Sequence, residues 1–348
     1  MVLALQGMRD ANTDPQRTEV IVPAYTCYSV PAAVVKAGLK PRLCDVDPRT
    51  LSMTTEGLAR FDFSRVLGVI SANLYGIPNQ LAAIEAVAQG AGVRFLDDAA
   101  QALGATHEGR PVGGFGDAGL FSFDKGKNIT SLEGGALVAS DAQLAAAINA
   151  RYTKLPGSPP MQTVMRVIKL AAYSALLRPV LYGVVRKLPG LGLGRTPYDE
   201  TYPVEQYSRV LAGFADTLLR RLQTLSEQRC RNAAALTAEL SRIAGVLLIE
   251  PPANSQPVYA RLPILIEDSS RRAAVIERLD SDGIGATASY PNALCDVREV
   301  AAILPSADLD MPGARRVASS IVTLPTHAYS PANLPARVNA SIRAVLAQ

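Results

Sequence analysis

The stretch Phe95-Leu96-Asp97-Asp98-Ala99-Ala100-Gln101-Ala102-Leu103-Gly104 decides how the chain is read. An apolar run ends in two adjacent carboxylates, and small residues follow. Read as a strand, residues 93–97 deliver the carboxylates to its carboxyl end. A pair of aspartates there also suits a helix cap or a surface pair. A second stretch answers the first: Phe121-Ser122-Phe123-Asp124-Lys125-Gly126-Lys127-Asn128. Here another apolar run enters a loop carrying a serine and two lysines. Glu133-Gly134-Gly135 then makes a flexible turn into the next strand.

Outward from these stretches, one pattern fills the first 140 residues or so: a β-branched apolar run, a turn, an alanine-rich helical stretch. Strands are expected at residues 19–24, 41–46, 65–71, 93–97, 118–123 and 136–139. Helical stretches such as residues 80–89 lie between several of them. This alternation predicts an α/β fold with a mostly parallel central sheet flanked by helices. In such sheets ligands collect at the carboxyl ends of the strands, so the residues just beyond those ends are the candidates.

Residues 142–198 break the pattern, with eight basic residues and no acid. Gln162, Arg166, Lys169 and Tyr173 recur at helical spacing, a narrow polar stripe on an otherwise apolar helix. Pro179 interrupts the helix, and Pro189 with the glycines after it ends it. The insert, about residues 155–195, is too charged to span a membrane. The expectation is a helix buried against the body or a partner subunit. The alternative is a basic amphipathic helix, residues 161–187, in peripheral contact with an anionic membrane. Beyond it, apolar residues at 211, 214, 218, 222 and 225 predict one long helix. A helix at 232–244, a strand at 259–266 and helices at 270–280 and 334–346 follow. The expected organisation is a large domain over residues 1–205, then a linking helix and a small C-terminal α/β domain over 206–348.

A chain of 348 residues, 48% hydrophobic and 19% charged, has enough apolar material for two folded cores and is not a disordered protein. A net charge of +4 is too small to argue for nucleic acid. The four cysteines form no CxxC pair and there are only two histidines, which argues against a disulfide framework or a metal centre and for a reducing cytoplasm. No secretory signal pattern opens the chain.

One chemistry needs all three stretches together. Pyridoxal 5'-phosphate (PLP) requires a lysine amine for its aldehyde and a carboxylate to keep its ring nitrogen protonated. It also needs hydroxyl and backbone donors for its phosphate. An aspartate after one strand and a lysine after its neighbour could face one such ligand. Taken alone, each piece also suits a generic ligand site in an α/β sheet.

The same residues resemble the DegT/DnrJ/StrS-type sugar aminotransferase family of fold-type I PLP-dependent enzymes. Asp97-Asp98-Ala99-Ala100-Gln101-Ala102-Leu103-Gly104-Ala105 is similar to its "EDaAqaxGa". The run from Ser122-Phe123 through Lys127 to Glu133-Gly134-Gly135 is similar to "SFxxxKxxxxxEGG". Val22-Pro23-Ala24-Tyr25-Thr26, Cys44-Asp45-Val46-Asp47 and Leu74-Tyr75-Gly76 resemble its upstream motifs, in the family's order over residues 19–140.

The resemblance implies that Lys127 is the catalytic lysine bound to PLP; Lys125 lies at the wrong spacing from the serine. It further implies Asp98 against the ring nitrogen, Gln101 against the phenolic oxygen and Ser122 at the phosphate. The activity implied is amination of a nucleotide-linked keto sugar, commonly with glutamate as donor, by a cytoplasmic homodimer serving polysaccharide or glycoconjugate synthesis. Residues 284–291 and Leu324-Pro325-Thr326-His327 resemble the family's looser late motifs; His327 could border the substrate or be structural.

Three departures stand out. Met1-Val2-Leu3-Ala4-Leu5 resembles the helix that follows the family's small-residue phosphate loop, so either the reading frame extends upstream or the protein is a shortened relative. No "GxNxR" segment is found near residues 198–213. Cys27 stands where an aromatic often stacks on the cofactor, with Tyr28 as a substitute. These departures leave a second expectation: a catalytically impaired or non-enzymatic relative that binds a partner.

Overall fold

The computed structural model describes residues 1–176 and 198–347. Its chief sheet is built from the expected apolar runs: β1 (Glu19–Pro23), β2 (Lys40–Cys44), β3 (Val66–Ala72) and β4 (Arg94–Asp98). Two short strands follow, β5 (Thr106–His107) and β6 (Arg110–Pro111), and then β7 (Ala118–Ser122) and β8 (Gly135–Ala139). The strand order is β2-β1-β3-β4-β7-β8. Five strands are parallel and β8 runs antiparallel to β7. The sequence Val66-Leu67-Gly68-Val69-Ile70-Ser71-Ala72 is buried along its whole length, as a central parallel strand must be when both faces are covered.

Register brings the chemistry to one edge. Ala72 lies opposite Asp98, and Asp98 opposite Leu120. The carboxyl ends of β3, β4 and β7 therefore finish together, with Ser122 emerging two residues beyond Asp98's partner. Helix Leu81–Gly90 crosses from β3 to β4 and buries Leu81, Ile84 and Ala88. Helix Val2–Asp10 packs on helix Ala142–Tyr152. A Cβ at Gly7 would stand 2.6 Å from Ile148 Cγ1, so only glycine permits that approach.

A second core holds β9 (Val246–Leu248), β11 (Leu262–Ile266) and β12 (Ile321–Leu324), antiparallel in the order β12-β11-β9. β10 (Ser255–Gln256) instead pairs with β5. Leu236, Leu240, Ile264, Leu279, Val338 and Ile342 fill this core, from the sheet and helices Leu222–Leu240, Arg272–Ser281 and Leu334–Leu346. The expected strand at 259–266 is shorter because Tyr259 adopts a φ of 44°, which stops the extended chain.

The long helix expected from residue 211 is two helices, Arg209–Leu219 and Leu222–Leu240. Leu218, Leu222 and Leu225 pack on one small cluster with Phe123 and Ile129, so the apolar phase runs through the break. Periodicity alone cannot see such a break. The helix expected at 232–244 is the later part of the second of these.

Helix Pro160–Leu176 has no buried residue. Its apolar residues face outward, Met161 at 73% and Ile168 at 56% exposure. Its polar side meets the body: Arg166 pairs with Glu133 at 2.6 Å and Glu205 at 3.0 Å. The expected burial of its apolar face against the body is thus corrected, because ion pairs hold the helix the other way round. The insert at 155–195 and the segment 161–187 continue into residues 177–197, which lie outside the described residues. No helix among the described residues is long and apolar enough to cross a membrane.

Candidate active site

Side chains alternate along a strand, so the two aspartates of β4 have different surroundings. Asp97 is fully buried and accepts from Asn73 Nδ2 at 2.7 Å, Gly113 N at 2.5 Å and Phe115 N at 3.3 Å. Burial pushes its pKa up to about 7 against the pull of those donors. Asp97 therefore staples the loop around residue 113 to the sheet. That loop lies hard against β7: a Cβ on Gly119 would stand 1.8 Å from Gly113 O.

Asp98, 7% exposed, accepts from the Ala100 amide at 2.9 Å. Burial raises its pKa, while the Ala100 amide, the Lys127 charge and the amino group of Met1 act in the opposite sense. Helix Val2–Asp10 thus begins beside Asp98. The two lysines of the loop after β7 separate clearly. Lys125 is exposed and lies 3.9 Å from Asp124. Lys127 is half-buried and is the lysine whose charge acts on Asp98.

Gln101 lies between two parts of the chain. Its Oε1 accepts from Tyr75 N at 2.9 Å, and its Nε2 donates to the Tyr290 hydroxyl at 3.0 Å. Tyr290 stands edge-on to Tyr25 and tilted against Tyr28, with centroids 6.0 and 5.9 Å apart. The hydroxyls of Tyr25 and Tyr75 are 3.1 Å apart. Tyr75 takes a φ of 60°, a strained conformation for a bulky residue and one that clusters at functional sites. The Tyr28 hydroxyl accepts from Asn292 N at 3.1 Å, and Leu294 N donates to Ala24 O at 2.8 Å. The segment carrying Tyr290 is thereby stitched to the exit of β1. Tyr28 is turned into this wall, and Cys27 beside it accepts from the Ser29 hydroxyl at 3.0 Å.

Ser122, half-buried at the end of β7, accepts weakly from Asp124 N at 3.3 Å. Thr26 Oγ1, just past β1, and Asn128 Oδ1, beside Lys127, are buried without a hydrogen-bond partner among the described residues. Buried polar atoms are rarely left so. An acid, a lysine, an amide and orphaned polar atoms at one sheet edge are the donor set PLP requires, and these residues fit it.

Sequence reasoning missed Asn73, the clamp on Asp97, and the pairing of Gln101 with Tyr290. Tyr25, Tyr75 and residues 284–291 were visible as motif fragments, but nothing in one sequence joins them. A cavity of about 510 Å³ also opens at the opposite, amino-terminal edge of the sheet, lined by Arg17, Arg94 and Asp117 among others. It lies away from the strand ends where ligands of such sheets gather.

This architecture is that of a PLP aminotransferase. A solved aminotransferase, TlmJ from Streptoalloteichus hindustanus, superposes with a TM-score of 0.77 over 99% of this chain and 84% of that one, at 24% identity. The structure of DesI in the presence of its TDP-sugar product gives 0.74 over 99% and 78%, at 26% identity. The chain belongs to the DegT/DnrJ/EryC1/StrS aminotransferase family, whose model matches residues 1–170 and 208–343.

Among its relatives is UDP-N-acetyl-3-dehydro-alpha-D-glucosamine 3-aminotransferase of Acidithiobacillus ferrooxidans. It is 39% identical over 145 residues, 41% of this chain and 38% of that protein. L-glutamine:scyllo-inosose aminotransferase of Streptomyces griseus is 27% identical over 328 residues, 88% of this chain and 70% of that one. The chain thus spans well under half of the first relative's length and about two thirds of the second's.

Proposed function

We propose that this protein is a PLP-dependent aminotransferase that moves an amino group from glutamate to a nucleotide-linked keto sugar, for polysaccharide or glycoconjugate synthesis. The observation that carries the reading is buried Asp98 at the end of β4 and half-buried Lys127 in the loop after the neighbouring β7, with the lysine charge acting on the carboxylate. The relatives support a keto-sugar or keto-cyclitol acceptor, and the Streptomyces protein by its name takes glutamine, so the donor is to be assayed as both amino acids.

When bound, PLP supplies an electron sink for the carbon being aminated. Lys127 would hold it covalently and carry a proton on Nζ. Asp98, whose pKa burial raises while the Lys127 charge and the Met1 amino group act in the opposite sense, would hold a proton on the ring nitrogen. Gln101, pinned by Tyr75 and Tyr290, would orient the ring through its phenolic oxygen. Ser122 would donate its hydroxyl to the phosphate. The tyrosine wall would keep water from the reacting carbon.

Outward-facing Val210 and Phe214, with the apolar residues of helix Pro160–Leu176, support a homodimer in which a second copy covers them. An anionic membrane is the other occupant. Liposome flotation decides between them: salt-sensitive binding favours the membrane, and a dimer mass without binding favours the second copy.

The test is borohydride reduction of the protein with PLP, then peptide mapping. Label concentrated on Lys127 supports the reading. Absent or scattered label overturns it and favours a non-enzymatic relative that binds a sugar nucleotide or partner without turnover.

A further inference from the structure

Cys27 lies just beyond β1, half-buried, beside the tyrosine wall. Its Sγ accepts from the Ser29 hydroxyl at 3.0 Å and is hydrogen-bonded to the Tyr290 hydroxyl. The thiol also acts electrostatically on the hydroxyls of Tyr28 and Tyr75. One small side chain thus sits among three tyrosines of the wall.

The direction of these bonds can be read from one end. A backbone N–H only donates, so the Tyr75 amide claims the Gln101 carbonyl, Oε1, at 2.9 Å. That turns Nε2 to the Tyr290 hydroxyl at 3.0 Å. A carboxamide nitrogen also only donates, so the Tyr290 oxygen accepts. Its own proton then goes to Cys27 Sγ, which receives the Ser29 proton as well. The chain of bonds runs from Tyr75 through Gln101 and Tyr290, and ends on a sulfur that accepts twice. The main chain of the segment is held separately: the Tyr290 backbone bonds the Tyr25 hydroxyl, and Asn292 N donates to the Tyr28 hydroxyl at 3.1 Å. With the backbone fixed, the partners of the Tyr290 hydroxyl decide where its proton points. Gln101 Nε2 keeps a second N–H, for which the described residues provide no acceptor. Locked this way, Gln101 offers a ligand a donor and not a carbonyl.

We propose that Cys27 is a positioning residue for the cofactor: acting through Tyr290, its sulfur holds the Gln101 carboxamide with a donor N–H free for the phenolic oxygen of PLP. This rests on the aminotransferase reading, in which Gln101 faces that oxygen. A donor there draws on the negative charge that helps to hold a proton on Lys127 Nζ. Without the sulfur, the Tyr290 hydroxyl is free to turn its proton toward Gln101. The carboxamide then loses its fixed direction, and the phenolic oxygen loses its donor.

The experiment is a pH titration of the absorption band of bound PLP on the whole protein, with PLP affinity taken from the same band. Wild type is compared with Cys27→Ala, Cys27→Ser, Tyr290→Phe and the double variant Cys27→Ala/Tyr290→Phe. Melting curves establish that each is folded, and Cys27→Val stands in for Cys27→Ala if that protein does not fold. Cys27→Ala and Tyr290→Phe should each raise the midpoint by roughly half to one pH unit and weaken PLP by about 2- to 10-fold. Cys27→Ser keeps an acceptor and should stay at the wild-type midpoint. The double variant should shift no further than either single one, because both break the same chain of bonds. A Cys27→Ala protein that titrates as wild type does, a Cys27→Ser protein shifted as far as Cys27→Ala, or shifts that add in the double variant overturn the proposal. The aminotransferase reading fails separately: absent pyridoxyl label on wild-type Lys127 removes it, whereas a labelled Lys127 whose band is indifferent to Cys27 removes this inference alone.

Discussion

The Gln101 side-chain amide donates to the Tyr290 hydroxyl at 3.0 Å, joining residues 189 positions apart. Replacing Tyr290 by Phe keeps the ring against Tyr25 and Tyr28 but strands the Gln101 donor. The expected cost is about 1–2 kcal/mol. Tyr290→Ala also empties the space of the ring and costs about 3 kcal/mol or more. Urea unfolding measures both; an unshifted midpoint for Tyr290→Phe would mean the bond adds nothing.

The two lysines of the loop after β7 make a paired test. Lys127→Ala should lose the pyridoxyl label and lower glutamate-dependent amination by at least about 10²- to 10⁴-fold. Lys125→Ala should leave both near wild type, because the Lys125 side chain is 61% exposed and lies beside a surface aspartate, Asp124. Steady-state rates for the two variants settle it, and equal losses would reject the assignment of Lys127.

Asp97 makes stability depend on pH. Its folded pKa, pushed by burial to about 7, lies above the ordinary 3.8. Between those values the folded protein keeps a proton that the unfolded chain has released. This contribution is complete at pH below about 4 and is lost as pH rises through about 7. Asp98 is shifted in the same direction by its own burial. Asp97→Asn should be less stable at every pH, since it brings a donor to the Gly113 amide. It should also show a flatter fall in urea midpoint from about pH 5 to pH 8 than wild type. A parallel fall in the two proteins would exclude Asp97 as the source.

Gly119 should tolerate no side chain. An added Cβ would sit 1.8 Å from Gly113 O, backbone that Asp97 holds in place. Gly119→Ala should cost about 3 kcal/mol or more, or leave the protein insoluble. Gly90→Ala is the control: a Cβ there meets nothing within 4 Å and should change the melting temperature little.

The parts legible in the sequence are those set by local rules. Apolar runs and turn residues placed the strands from β1 to β8 in the chief sheet within a residue or two. The final helix was placed as Leu334–Leu346, the bounds it has in the structure. The strand-end rule brings attention to both aspartates of β4 and both lysines of the loop after β7, and only the family resemblance selects Asp98 and Lys127; of the two lysines, Lys127 is the one whose charge acts on Asp98. What stayed hidden depends on distant partners. The break at Arg220 leaves the apolar phase intact. The outward face of helix Pro160–Leu176 is set by ion pairs from Arg166 to Glu133 and Glu205, which no periodicity encodes. The two aspartates of β4 look alike as letters, and only the neighbours of each face separate the staple from the candidate cofactor acid.

The stitching of Tyr28 to Asn292 has a consequence for the order of assembly. These residues are 264 positions apart, and their bond ties the segment carrying Tyr290 to the end of the sheet that carries Asp98. The sheet that carries Asp98 and Lys127 is complete by residue 139, so this floor can form while the rest of the chain is still being synthesised. The wall must wait for residues near 290 to leave the ribosome. Contacts so distant in sequence form late and slowly. For that interval the nascent protein exposes its tyrosines and buried acids to the cell, and a cofactor or chaperone that binds the unfinished floor would shield them.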